Sequence, residues 1–308
     1  MAGEVYHYEE LTATRLADLD REHTLALMAL GPVEVHGPHL PVGTDLLVAR
    51  EVQRRAIERV RERWPETDFL ILPPLFAGAD TLRHPCSVDV DSRAIYHLVS
   101  ATGRSLAAQG FHTLLLTDNH GAPRHGVAIE KAVRRLYRRH GVAVVAPFQR
   151  LFRRMIECDP QLLADTGTAP GSAGDETDQH SGTNETSLML VIAPGLILPL
   201  WKTLSRTAIP EDAPLNRLFG AVAGVVRWLG GRRLARDLTH LGHDLAWIGM
   251  DPMPTYLGDP SQASAEAGER VLEAHVAEAM AMLEEVRAGK APFSEPILWD
   301  LRFVERSW

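Results

Sequence analysis

Two cysteines in 308 residues, Cys86 and Cys158, leave no disulfide framework to organise the fold. Runs of about 18 or more apolar residues are also missing, so no membrane span is expected. The longest candidate, from Val191 to Trp201, is interrupted by Pro194, Gly195 and Pro199. The start, MAGEVYHYEELTATRL, lacks the basic and apolar character of a secretory signal. A basic excess is absent too. The formal net charge is −8 and the pI about 6.0, which argues against nucleic acid and anionic membrane surfaces as partners. No P-loop, G-x-G-x-x-G, H-E-x-x-H or zinc-finger spacing occurs. Repeats, low-complexity tracts and linkers are lacking. The expectation is a soluble cytoplasmic protein, with one domain over residues 1–290 and a short tail over 291–308.

The 45% hydrophobic content is enough for a large core, and 14 histidines mildly favour metal or acid–base chemistry. The densest chemistry lies from Gly31 to Asp45, GPVEVHGPHLPVGTD. It holds one Glu, one Asp and two His among three Pro and three Gly. In an extended segment residues i and i+2 share a side, so Glu34 and His36 can reach one centre. Pro38 and Pro41 stiffen the backbone, while Gly37 and Gly43 allow turns that return Asp45 to the same place.

The order of elements supports this. Thr24–Leu30 reads as a buried strand that delivers the stretch. Ala49, Val52, Ala56 and Val60 mark an amphipathic helix ending near Trp64. Phe69–Leu72 is a second strand, followed by a helix capped at Asp91 or Ser92 and stopped at Gly110. Thr113–Thr117 is a third strand and runs into Asp118-Asn119-His120. A helix over about 126–140 and a strand over 142–146 follow. Alternation of this kind predicts an α/β fold, layered, with a mostly parallel sheet flanked by helices. Ligands in such sheets bind beyond the carboxyl ends of strands, where both His120 and the Gly31–Asp45 stretch are expected. A last helix is expected from Asp259 to about Arg287, and an apolar tail that includes Phe293, Trp299 and Trp308. Residues 203–250 say least, apart from a possible helix over 215–229.

Glu34, His36, Asp45 and His120 are candidate ligands for Zn²⁺, Mn²⁺ or Fe²⁺. Two such cations, with one carboxylate bridging, can hold a hydroxide and polarise a carbonyl. The plainer alternative is a structural loop with polar side chains. His180 and Glu185 form a second set. Glu185 can ligate from a helix start, or simply favour the helix dipole there. His180 is a candidate proton donor to a leaving group. His84 and Cys86 suggest a thiol nucleophile, but no triad partner accompanies them, and a pocket wall suits them better. Asp80, Asp118 and Asp178, on the loops nearby, complete the candidate substrate pocket.

The stretch resembles the signature of the creatininase (creatinine amidohydrolase) family, close to G-x-x-E-Q-H-G-x-H-L-P-x-x-T-D. TLRHPCSV, TDNHGAPRHG, HSGTNETSLML and GDPSQASAEAGERVLE resemble further family segments in order and spacing. The resemblance runs from about residue 20 to 287. It implies a layered α/β fold and a centre of two divalent metals per subunit that hydrolyses non-peptide or cyclic amide C–N bonds. It implies that Glu34, Asp45 and His120 hold one metal, and His36 and Asp45 the second. Ala122 stands where creatininase itself has a Glu, and Glu185 is the natural replacement ligand. His180 matches the family's active-site His. Asp118-Asn119 and Pro123 depart from the pattern, which argues against creatinine as substrate. Relatives in the family include formamide hydrolases and a peptidase of a peptide-derived cofactor pathway. A non-hydrolytic metal-binding member, such as a biosynthetic cyclase or structural subunit, is the other class to weigh. The family habit of ring assembly implies a homo-oligomer, with a hexamer favoured.

Overall fold

The computed structural model describes residues 3–210 and 212–303. Its centre is a parallel sheet. Strand β1 (Val5–His7) pairs with β3 (Asp68–Ile71), and β3 pairs with β2 (Thr24–Gly31). On its other side β2 pairs with β5 (Thr113–Thr117), which pairs with β6 (Ala143–Val145). A two-residue strand, β4 (Leu75–Phe76), extends the end of β2. The order is therefore β1-β3-β2-β5-β6, every pair parallel, with β2 central and buried along all eight residues.

Side-chain alternation builds the layers. Ala26, Met28 and Leu30 of β2, with Leu114 and Leu116 of β5, face α3 (Ser92–Ala108) and α4 (Pro123–His140). Leu25 and Leu27, with Leu115 and Val145, face the opposite way. There they meet α2 (Thr44–Arg63) and α10 (Ala265–Arg287). The helical period of Ala56, Ile57 and Val60 matches that buried face. Short helices complete the chain: α1 (Ala13–Asp18), α5 (Pro147–Ile156), α6 (Pro160–Thr166) and α7 (Thr183–Ile192). Then α8 (Pro214–Trp228) and α9 (Arg232–Ile248) form a helical hairpin.

Several boundaries differ from the sequence reading, each for a local reason. Asp259 caps a 3₁₀ turn rather than the last helix, its side chain accepting from the Ser261 N–H. The helix α10 starts at Ala265, where Ser264 accepts from the Ala267 N–H. Strand β1 escaped notice because three residues are too few to show a period. Gly43 is not needed for its backbone angles, since its φ is −97°. Gly37 is, with φ of 61°. Gly31 matters for closeness: a Cβ there would stand 2.8 Å from the Leu46 nitrogen. That contact lets the start of α2 approach the end of β2.

The tail lies on the body. Ser294, Ile297 and Trp299 are buried. Glu130 accepts from the Ser294 N–H, and Arg134 donates to the Ser294 carbonyl. Arg153 forks onto the buried Asp237 of α9, which also accepts from the Leu298 N–H. Trp308 lies outside the described residues.

Candidate metal centre and pocket

Three segments converge at the carboxyl edge of the sheet. The stretch after β2 carries Glu34 and His36. Asp45 lies in the first turn of α2. His120 follows β5. A fourth contribution comes from the start of α7, where Glu185 is a first-turn residue. All five side chains are buried.

The imidazoles are held in fixed orientations. His36 donates from Nδ1 to the Glu34 carbonyl at 3.0 Å. His120 donates from Nε2 to the Ala79 carbonyl at 2.8 Å. Each ring thus turns its other nitrogen toward carboxylates, as metal-bound histidines do. His36 Nε2 lies 3.6 Å from Asp45 Oδ2 and 3.8 Å from Glu185 Oε2. His120 Nδ1 lies 3.3 Å from Glu34 Oε2 and 3.6 Å from Asp45 Oδ2. These are long for hydrogen bonds. They suit donors around a cation, since ligands about 2.0–2.1 Å from a tetrahedral zinc sit roughly 3.3 Å apart.

At this centre Glu34 Oε2, His36 Nε2 and Asp45 Oδ2 are buried without a hydrogen-bond partner. Orphaned polar atoms cost about 1–3 kcal/mol each, so their convergence on one point needs a ligand. Glu34, Asp45 and His120 form one potential ligand group and His36, Asp45 and Glu185 another, with Asp45 common to both. The donor set fits two cations that share a carboxylate. Glu34, His36 and His180 form a third overlapping group.

Electrostatics agree with that fit. Burial penalises charge on His36 and His120, yet the neighbouring carboxylates outweigh it. They push both imidazoles up to about 10. Burial also works against Asp45, but His36 and His120 hold it well below the usual range. Burial pushes Glu185 up to about 7. Protons on the two imidazoles thus occupy the place that cations would take, and binding must displace them.

Asn119 went unremarked as a functional group in the sequence, although it precedes His120. Its amide donates to Asp45 Oδ1 at 3.2 Å and to Glu185 Oε1 at 3.3 Å, orienting both carboxylates. The Ser181 N–H donates to Glu185 Oε2 at 2.6 Å, and the Leu82 N–H to Glu34 Oε1 at 2.5 Å. The adjoining cavity is small, about 40 Å³, and lined by Phe148, Phe152, Met155, Asp178, His180 and Asn184 among others. The aromatic and thioether walls come from α5, a helix that the sequence reading left unassigned.

His180 lines this cavity. Its Nε2 donates to the Val35 carbonyl at 2.7 Å, so Nδ1 is the nitrogen left for proton transfer. Burial, reinforced by the charge on His36, pushes its imidazole down to about 3. The ring lies 4.4 Å from that of His36 and 5.5 Å from that of Trp247, centroid to centroid.

The candidate pocket residues divide. Asp178 is in the cavity lining and accepts from the Asn184 N–H at 2.9 Å and the Gly174 N–H at 3.2 Å. It secures the start of α7. Asp118 is placed behind the His120 loop instead, and its carboxylate accepts from the Asn119 and His120 N–H groups and from His125 and Gln149. A carboxylate with that many donors braces the loop rather than meeting a ligand. Asp80, His84 and Cys86 are outside the cavity lining. Asp80 takes Arg124, and Cys86 is exposed with its N–H donating to His84 Nδ1 in a local turn.

A family model described as creatininase, creatinine amidohydrolase, matches residues 9–283. A mycofactocin precursor peptide peptidase of Mycobacterium ulcerans (strain Agy99) is 28% identical over 272 residues, covering 85% of each chain. A creatinine amidohydrolase (creatininase) crystal structure superposes with a TM-score of 0.61 at 22% identity, covering 91% of this chain and 97% of that one. A creatininase structure described as the Mn form gives 0.59 at 21% identity, covering 91% of this chain and 98% of its own. With the family model spanning most of its length, the chain belongs to the creatininase family.

Proposed function

We propose that this protein is a metal-dependent hydrolase of an amide C–N bond. The observation that carries the reading is the convergence of orphaned Glu34, His36 and Asp45 atoms at a strand edge, within reach of His120 and Glu185. Glu34, Asp45 and His120 would hold one divalent cation, and His36, Asp45 and Glu185 a second. Zinc, manganese and iron all suit these donors. Cations bound there supply Lewis-acid polarisation of a carbonyl and lower the pKa of water.

The chain's own residues do the rest. Val-flanked Glu34 and His36 are presented by rigid backbone, and Asn119 fixes the rotamers of Asp45 and Glu185. Phe148 and Phe152 give the adjoining cavity an apolar wall. His180, neutral at physiological pH, has Nδ1 to take and return a proton at the departing nitrogen. Asp178 keeps the start of α7, and with it Glu185, in place.

The substrate class has two supports. Relatives named as precursor peptide peptidases, aligned over most of the chain, favour an amide within a peptide. The small cavity favours a compact amide such as a lactam or formamide. The non-hydrolytic alternative has no observation of its own here. We also take residues 1–290 as one amidohydrolase domain with 291–308 as a docking tail, assembled as a homo-oligomer, with a hexamer favoured.

The test is a panel of short peptides, lactams and formamides assayed with added Zn²⁺, Mn²⁺ or Fe²⁺. Asp45→Asn should abolish turnover and reduce bound metal below that of the wild type. Unchanged turnover in Asp45→Asn, or in chelated protein, would falsify the mechanism. Turnover confined to peptides or to small amides decides the substrate class.

A further inference from the structure

Most polar groups that line the cavity beside the metal ligands already have partners. Asp45 and Glu185 accept from the Asn119 amide. Asp178 takes the backbone N–H groups of Gly174, Thr183 and Asn184. Three polar atoms of the lining residues are buried without a hydrogen-bond partner: Asp45 Oδ2, Gln179 Oε1 and Asn184 Nδ2. The first belongs to the metal centre. The other two take no part in ligation or in the proton transfer assigned to His180.

Both side chains are anchored by other atoms. The Gln179 amide nitrogen donates to the Asp244 carboxylate on α9. An ionised carboxylate only accepts, so Oε1 is the end of Gln179 left over. Asn184 is 5% exposed, and its backbone N–H donates to Asp178 at 2.9 Å. Gly174 makes room for its carboxamide. A Cβ there would stand 3.4 Å from Asn184 Cγ and 3.2 Å from Met155 Sδ, at a φ of 74° that side chains rarely adopt. Phe148, Phe152 and Met155 supply the apolar walls, and beside such walls an unmet hydrogen bond is costly.

One donor and one acceptor therefore remain. An amide group complements that pair, because its carbonyl oxygen accepts and its N–H donates. The cavity of about 40 Å³ has room for roughly three water-sized groups, which matches the O, C and N of a single amide. The reacting amide is already accounted for, its oxygen at the cations and its nitrogen at His180. We propose that Asn184 and Gln179 read a second amide of the substrate, next to the one that is cut. Asn184 Nδ2 donates to its carbonyl oxygen, and Gln179 Oε1 accepts its N–H. Consecutive amides define a peptide, whereas a lone lactam or formamide leaves both atoms unmet. The small cavity then holds one link of a peptide rather than a whole compact substrate. This inference rests on the hydrolytic reading of the metal centre and selects between its two substrate classes.

The experiment separates the two layers with different probes. Acetohydroxamate, a metal chelator, reports on the centre itself, and its binding to Zn²⁺-loaded protein is measured by calorimetry. N-acetylglycine N′-methylamide, with two amides, and N-methylacetamide, with one, then compete against it. On wild type the diamide should displace it at a concentration at least about 10-fold lower than the monoamide does. Asn184→Leu and Gln179→Met keep side-chain size and delete one hydrogen-bonding atom each. Each should cut the diamide's advantage by about 3-fold or more, with acetohydroxamate affinity and bound zinc as in the wild type. A purely structural role would move both amides together. Circular dichroism checks folding, and where a variant fails to fold, the comparison of the two amides on wild type decides alone. Equal competition by the two amides, or an advantage that survives both variants, would overturn the second-amide contact and leave the metal centre standing. Zn²⁺-loaded protein that does not bind acetohydroxamate would overturn the metal reading, and this inference with it.

Discussion

At the residue scale, Asn119 is the side chain whose importance only the folded chain exposes. It touches no orphaned atom, yet its one amide group faces both Asp45 and Glu185. Groups that orient ligands typically contribute about 10–100-fold in metal affinity or activity. Asn119→Ala should therefore weaken metal binding by about that factor while leaving the fold intact, since the residue is small and the Asp118 brace remains. Isothermal titration with Zn²⁺ or Mn²⁺, with circular dichroism alongside, checks it. An unaltered affinity would mean that α2 and α7 alone position the two carboxylates. Asp118 is the converse case. Its sequence neighbourhood suggests contact with substrate, but its lone pairs are taken by two backbone N–H groups, His125 and Gln149.

At the scale of elements, α4 carries a buried acid that ties the tail to the body. Glu130 accepts from the Ser294 N–H and pairs with Arg134 at 2.6 Å. Burial pushes its carboxyl up to about 7, against the pull of Arg134. The sign follows from linkage. Between the ordinary carboxyl value of 4.5 and about 7 the folded chain keeps a proton that the unfolded chain has lost. Stability from this group is fully present below that window and falls as pH rises through it. The whole effect is at most ~3 kcal/mol, from about 1.4 kcal/mol per pKa unit. Glu130→Gln should flatten the dependence over that window, as read by urea melts at several pH values. A slope equal to that of wild type would place the titration elsewhere. The tail's buried Trp299 and Ile297 make it part of the same cooperative unit.

At the scale of the whole molecule, four segments from distant parts of the chain meet at one sheet edge, so the site and the fold stabilise one another. Anything that binds only the folded state raises its stability by mass action. Added Zn²⁺ or Mn²⁺ should raise the Tm. The increment should grow with pH, because the protons on His36 and His120 must leave before a cation enters. Differential scanning fluorimetry at pH 6 and pH 8, with and without chelator, measures this. An increment independent of pH would mean that those imidazoles are already neutral. Wild type lacking any shift at all would argue against binding at the centre.

The order of strands and helices was legible because β2, α2, β5 and α4 each carry a long and regular burial pattern. Residues Glu34, His36, Asp45 and His120 stood out because ligating types rarely crowd so closely, and because the family signature surrounds them. Short elements such as β1 and β4 have no period to read. What the chain by itself determined was therefore the layered parallel fold and the set of donor types. The family resemblance already implied Asp45 as the shared ligand; the tertiary structure decided how the donors are placed, setting Asp45 on a helix start, bringing Asn119 against two carboxylates, and putting Asp118 behind the His120 loop and Cys86 outside the cavity lining. Sequence fixes periodicity and chemistry along one dimension, whereas which lone pairs remain unsatisfied depends on neighbours brought together from far along the chain.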